Sequence, residues 1–185
     1  DGGAYVIVEC ADHDDPTDEL ADALADRPEI LDAAVTTAGP ARDRLVAFRD
    51  RITEAINVLG VPLKLDVAVP VGALDDLLAA ARRSIAAHGG RLVPFGHLAE
   101  GNVHVNVLDA GDRDAISADV LGAAAALGGT ISAEHGVGVA KTRWLHLVRS
   151  PAELAAAAAV KHALDPAGIL NPGVLTAQED RTVGV

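Results

Sequence analysis

The sequence predicts an α+β fold: an antiparallel sheet with helices on one face. Three observations lead there. Strand-like and helix-like stretches interleave, but without the regular βαβ spacing of a parallel sheet. PLKLDVAVPV alternates strictly, with Leu63, Leu65, Val67 and Val69 on one side and Lys64, Asp66 and Ala68 on the other, so this strand has one polar face. NVHVNVL alternates in the same way, with Val103, Val105 and Val107 opposed to Asn102, His104 and Asn106.

Along the chain, AYVIVEC has the apolar run of a buried strand, and its Cys10 is expected to be a buried thiol. DDPTDELADALAD follows with Pro16, then Thr17 as the expected helix cap, with acidic residues in the first turn. ILDAAVTT reads as a second strand. GPARDRLVAFRDRITEAINVLG reads as one long helix with an apolar stripe through Leu45, Phe48, Ile52, Ile56 and Leu59, ended by Gly60. The alternating strand at 62–71 comes next, then a helix over ALDDLLAAARRSIAAHGG. RLVPF and NVHVNVL are two short strands separated by GHLAEG, and a helix near DRDAISADVLGAAAAL follows. GGTISAEHGVGVAK is expected to be a strand that breaks into a glycine-rich turn. PAELAAAAAVKHAL is an alanine-biased helix with Pro151 at its start, and DPAGILNPGVL closes the fold with turn residues. A loose tail is expected at 176–185.

At 185 residues, half of them hydrophobic, the chain can bury one well-formed core, and Ala, Val and Leu must build it because there are only two Phe, one Tyr and one Trp. The net charge of -12 argues against a nucleic-acid surface or an anionic membrane patch, either of which needs clustered Lys and Arg. An anionic ligand would have to meet a local cationic pocket. One cysteine permits no internal disulfide and suits a reducing compartment, so a cytoplasmic location is expected. No run of 18 apolar residues and no signal-like N-terminus is present. The chain has no Met and starts at Asp1, which suggests a piece of a longer polypeptide whose targeting signals are missing.

Three clusters can carry chemistry. His97 and His104 stand seven residues apart in PFGHLAEGNVHVNV, where Gly96 and Gly101 would let the backbone return His97 beside His104. Two such imidazoles suit a borderline metal such as zinc, although the spacing matches no known zinc motif and by spacing alone a turn-capping His97 and a half-buried strand His104 are the stronger reading. In SAEHGVGVAK, Glu134 could complete a three-ligand site while His135 serves as proton acceptor; a solvated acid beside a turn histidine is the alternative. Arg49 and Thr53 are one helical turn apart, and Lys64 sits on the polar side of its strand. Together they would bind a carboxylate, although Lys64 could simply be paired with Asp66.

Three stretches together resemble one family. FGHLAEGNVHVN is similar to the motif GHLGDGNLHxN, SAEHGVGVAK to EHGIGxxK, and DPAGILNPG to DPxxILNPGK, in the same order and at matching spacing. That family is the C-terminal domain of the FAD-linked oxidases, which includes D-2-hydroxyglutarate dehydrogenase, D-lactate dehydrogenase and the glycolate oxidase flavin subunit. The resemblance runs over 1–175. Two departures, AE where the motif has GD and LVAFRD where an aromatic often precedes the arginine segment, bear on substrate preference.

The resemblance implies a ferredoxin-like substrate (cap) domain of the vanillyl-alcohol oxidase type flavoproteins. FAD would be held mainly by an N-terminal domain absent from this chain. It further implies a metal, usually zinc, on His97, His104 and Glu134. His135 would be the base, and Arg49, Thr53, Lys64 and Asn106 the substrate contacts; Lys141 and Asn171 would stand nearest the flavin. The function implied is oxidation of a D-2-hydroxy acid to a 2-oxo acid, with the isolated chain inactive. A stand-alone zinc hydrolase and a non-catalytic ligand-binding module are the alternatives. The expected partners are a small anionic 2-hydroxy acid and the FAD domain, with neither nucleic acid nor a transmembrane segment. A homodimer and peripheral membrane contact through the electron acceptor are left open.

Overall fold

Strict alternation in two stretches becomes the central sheet. In the computed structural model, which describes residues 3–25, 27–37 and 39–174, β1 (Leu63–Ala68), β2 (Arg91–His97) and β3 (Asn102–Leu108) form an antiparallel sheet in the order β1-β3-β2. The expected tail at 176–185 lies outside the described residues.

The chain divides into two units, Asp1–Val58 and Leu59–Val185. The second holds the sheet and its core. Leu65 and Val67 of β1 and Val103, Val105 and Val107 of β3 are buried in one cluster with Leu77, Ala81 and Ile85 of α4 (Leu74–His88) and Ile116, Val120 and Leu121 of α5 (Arg113–Ala126). Both helices therefore cover the apolar face of the sheet, as alternation requires. Each fully buried Val or Leu stabilises by roughly 1.5–3 kcal/mol. Helix ends follow local chemistry: α4 places Asp75 and Asp76 in its first turn and His88 in its last, matching its dipole, and Asp112 caps α5 by accepting the Ala115 N–H at 3.0 Å.

α6 (Pro151–Leu164) starts with a capping box between Ser150 and Glu153 and Pro151 in its first turn. Beyond it, Asp165 accepts the N–H groups of Ile169 (3.0 Å) and Leu170 (2.9 Å) and pairs with Lys161, folding DPAGIL back onto the helix end. A 3-10 helix at Thr142–Leu147, unsignalled by any apolar period, precedes α6.

The first unit departs from expectation. AYVIVEC and ILDAAVTT form no strand; among their residues no backbone ladder is made, and Tyr5, Val6, Val8 and Leu31 are exposed. Cys10 is exposed as well, a correction to the buried thiol, because without a sheet around it the segment has no interior side. α1 (Thr17–Ala25) forms, but its start is set by Asp15, which accepts both the N–H (3.0 Å) and the hydroxyl (2.5 Å) of Thr17. The long helix is two, α2 (Pro40–Asp50) and α3 (Ile52–Leu59), interrupted at Arg51 (φ -96°, ψ 0°). No Gly or Pro marks that break. Gly60, at φ 147°, ends α3 as expected.

Candidate metal and substrate site

The polar face of the sheet is a small grid of side chains. Across β1, β3 and β2 its rows are Lys64, Asn106, Val93, then Asp66, His104, Phe95, then Ala68, Asn102, His97. His97 and His104 are thus diagonal neighbours, with ring centroids 5.7 Å apart and edge-on. Gly96 makes this possible, since a Cβ there would stand 2.1 Å from the carbonyl oxygen of Asn102. Gly101, at φ 67°, closes the turn between the two strands.

The segment after α5 completes the site. Thr130 exchanges backbone hydrogen bonds with Ala68 (2.8 and 3.2 Å), and then the ladder stops. The reason is Asp66: its Oδ2 accepts the N–H groups of Ala133 (3.1 Å), Glu134 (2.8 Å) and His135 (3.1 Å). The strand expected over GGTISAEHGVGVAK is therefore a single bridge followed by turns, because a carboxylate has taken amides that a ladder would need. Gly136 (φ 72°) and Gly138 (φ 53°) carry the chain away.

Curling around Asp66 brings Glu134 and His135 to the same face. Glu134 Oε1 lies 3.0 Å from His97 Nε2 and accepts Asn102 Nδ2 at 2.9 Å; the His135 ring centroid is 5.5 Å from that of His104. His97, His104 and Glu134 each offer a ligand atom, all within 4.8 Å of one another. A tetrahedral zinc site with bonds near 2.0–2.1 Å needs ligand atoms about 3.3 Å apart, so side-chain adjustments would suffice for these three. Two imidazoles and one carboxylate, with a side open to solvent at His97 and Glu134, fit a divalent ion with a position left for a ligand. Asp66, His104 and His135 make a second triple within the same spacing.

The electrostatics favour ligation. Burial holds the His104 imidazole below its ordinary pKa, with His135 and His97 acting in the same sense, against the carboxylates of Asp66 and Glu134. A neutral ring is the ligating form. For Asp66, burial raises the pKa, but the amides of Glu134 and His135, then Lys141 and His104, outweigh it and keep the carboxyl below its ordinary value. Lys141, lowered by burial against the pull of Asp66, donates to the carbonyls of Asp66 (2.9 Å) and Ile131 (2.7 Å), clamping the loop to β1.

The remaining expected residues are placed as follows. Asn106 is buried on β3, its amide donating to the His104 carbonyl at 3.1 Å, and Lys64 is its exposed neighbour on β1. Arg49 and Thr53 are exposed in the first unit, on α2 and α3, and Arg49 is paired with Glu9 (2.8 Å) and Asp50 (3.1 Å). Asn171 is exposed in a left-handed turn, φ 46°. Sequence reasoning gave no role to Asp66 beyond pairing with Lys64, nor any to Asn102 or Phe95, whose ring centroid lies 4.8 Å from that of His104. An acid on the polar side of β1 is visible in the sequence, but its register with His104 is not.

Residues 1–175 match the family described as FAD linked oxidases, C-terminal domain. The chain belongs to that family. Among relatives, it is 37% identical over 147 residues to an uncharacterized FAD-linked oxidoreductase of Mycobacterium tuberculosis, covering 78% of this chain and 32% of the relative. It is 33% identical over 181 residues to the mitochondrial D-2-hydroxyglutarate dehydrogenase of Rattus norvegicus, covering 91% of this chain and 33% of that protein. With the D-2-hydroxyglutarate dehydrogenase of Stutzerimonas stutzeri the identity is 35% over 159 residues, 80% of this chain and 34% of that one. The chain thus spans about a third of the length of these relatives. Among the described residues no helix is long and apolar enough to cross a membrane.

Proposed function

We propose that this chain is the ferredoxin-like substrate domain of a vanillyl-alcohol oxidase type flavoprotein that oxidises a D-2-hydroxy acid, of the lactate or 2-hydroxyglutarate kind, to a 2-oxo acid. The carrying observation is the convergence of His97, His104 and Glu134, with His135 beside them. The names of the D-2-hydroxyglutarate dehydrogenases among its relatives support the substrate class.

His97, His104 and Glu134 would hold a divalent cation, zinc by donor set. When bound, such a cation would lower the pKa of a hydroxyl held against it, and FAD, carried by a separate domain of the same polypeptide, would supply the hydride acceptor. The chain's own groups do the rest. His135 accepts the substrate's hydroxyl proton on a ring nitrogen. By the chemistry of a guanidinium, a hydroxyl and an ammonium, Arg49, Thr53 and Lys64 are assigned to the substrate carboxylate. Arg49 would exchange its present carboxylate partners for that of the substrate. Asn106 contacts the substrate, and Lys141 and Asn171 lie toward the flavin. A cytoplasmic location is part of the same reading.

The test uses the full-length polypeptide purified without added metal. Wild type should carry about one equivalent of divalent metal; His104→Ala should lose it together with turnover of D-2-hydroxy acids. His135→Asn should keep the metal and lose roughly 10²–10⁴-fold in turnover. Equal metal in wild type and His104→Ala would end the metal assignment.

A further inference from the structure

We propose that Asp66 is the positioning residue of this site, setting both histidines and the glutamate from beneath; the proposal rests on the metal-assisted reading above. Asp66 is 6% exposed, and its two carboxylate oxygens do different things. Oδ2 gathers three consecutive amides, those of Ala133, Glu134 and His135, at 2.8–3.1 Å. Residues 133–135 lie in no helix or strand, so no regular element aims these three successive N–H groups at one point. The loop's curvature, and with it the direction in which Glu134 and His135 leave the backbone, is therefore imposed by this one oxygen.

Oδ1 faces the other way. It lies 3.3 Å from His104 Nδ1, in the same cross-strand row, and has no other partner although it is buried. A buried carboxylate oxygen without a hydrogen bond costs free energy, and the proton that can satisfy it with least movement is one on His104 Nδ1. The neutral His104 ring therefore carries its proton on Nδ1 and leaves Nε2 as a lone-pair donor. A carboxylate behind a ligating imidazole does this in metal sites generally, fixing tautomer and orientation. Here the same carboxylate also holds the loop bearing the carboxylate ligand and the proton acceptor. Asp66 itself is not a ligand in this arrangement: Oδ2 is saturated by amides, and Oδ1 is directed at His104.

Asp66→Asn separates the two roles. Its amide oxygen can still accept the loop amides, but its NH2 then faces His104 Nδ1 and favours a proton on Nε2, the tautomer that cannot ligate. Asp66→Ala removes both functions. In the chelator-treated full-length protein, zinc affinity measured against a competing chelator should fall about 10–100-fold in Asp66→Asn. ¹⁵N shifts of labelled histidine should show one ring moving its proton between nitrogens. Amide exchange at 133–135 should stay slow in Asp66→Asn and quicken in Asp66→Ala. Zinc affinity within twofold of wild type in Asp66→Asn, with an unchanged tautomer, overturns the proposal, and complete loss of binding would make Asp66 a ligand and overturn it too. Should wild type bind no zinc, the metal reading falls instead. Tautomer and exchange then still decide what Asp66 holds, and unchanged exchange in Asp66→Ala refutes it.

Discussion

At the scale of single residues, the site depends on small backbone allowances as much as on ligands. Gly96 is the sharpest case, because an added Cβ would overlap the Asn102 carbonyl at 2.1 Å and push β2 from β3 beside His97. Gly96→Ala should destabilise the chain by about 1–3 kcal/mol, read by denaturant unfolding. It should also weaken metal binding in the folded fraction, because His97 is the next residue. Unchanged stability would mean that the strands can separate at no cost. The histidines, Glu134 and the glycines were legible as a group from the sequence, since they cluster in two short motifs. Asp66 was visible only as a possible partner of Lys64, because sharing a face of one strand says nothing about which residue stands across the next.

Among elements, those carrying their own signals formed where expected: β1, β2, β3 and α4, α5 and α6 each show alternation, helical periodicity or a cap. Elements that depend on a partner did not. AYVIVEC and ILDAAVTT are apolar enough for strands, but a strand exists only when another pairs with it. The end of α6 has its own titration. Asp165 is held down to about 2 by its hydrogen bond from Lys161, against burial, with the Leu170 and Ile169 amides helping. Its folded pKa is below the ordinary 3.8, so the stabilisation is complete above about pH 4 and is lost as pH falls through about 2. The protection of the Ile169 and Leu170 amides, taken relative to their intrinsic exchange rates at each pH, should therefore fall across that window. Asp165→Asn should be less protected at neutral pH and lose the acid dependence of that protection; wild-type protection that does not change with pH would refute the assignment.

For the molecule as a whole, the second unit contains the apolar cluster on which the grid of polar side chains rests. Leu77, fully buried on α4, touches no candidate ligand. Leu77→Ala should cost about 2–5 kcal/mol in unfolding free energy. Metal affinity per folded molecule should stay near wild type, which distinguishes loss of support from loss of the site. A stability change within about 0.5 kcal/mol, the range of an ordinary surface substitution, would show that the core can collapse around the cavity.

The sequence by itself determined the two-faced strands, the helices that cover one face, the family, and the set of side chains available for chemistry. Those follow from periodicity and local motifs, which are properties of neighbouring residues. Tertiary structure alone decided that Asp66 stands opposite His104, that its carboxylate rather than a strand captures the amides of 133–135, and that Glu134 reaches His97. Each of these joins residues far apart in the chain through register and close approach, and none is written in the order of residues along a single segment.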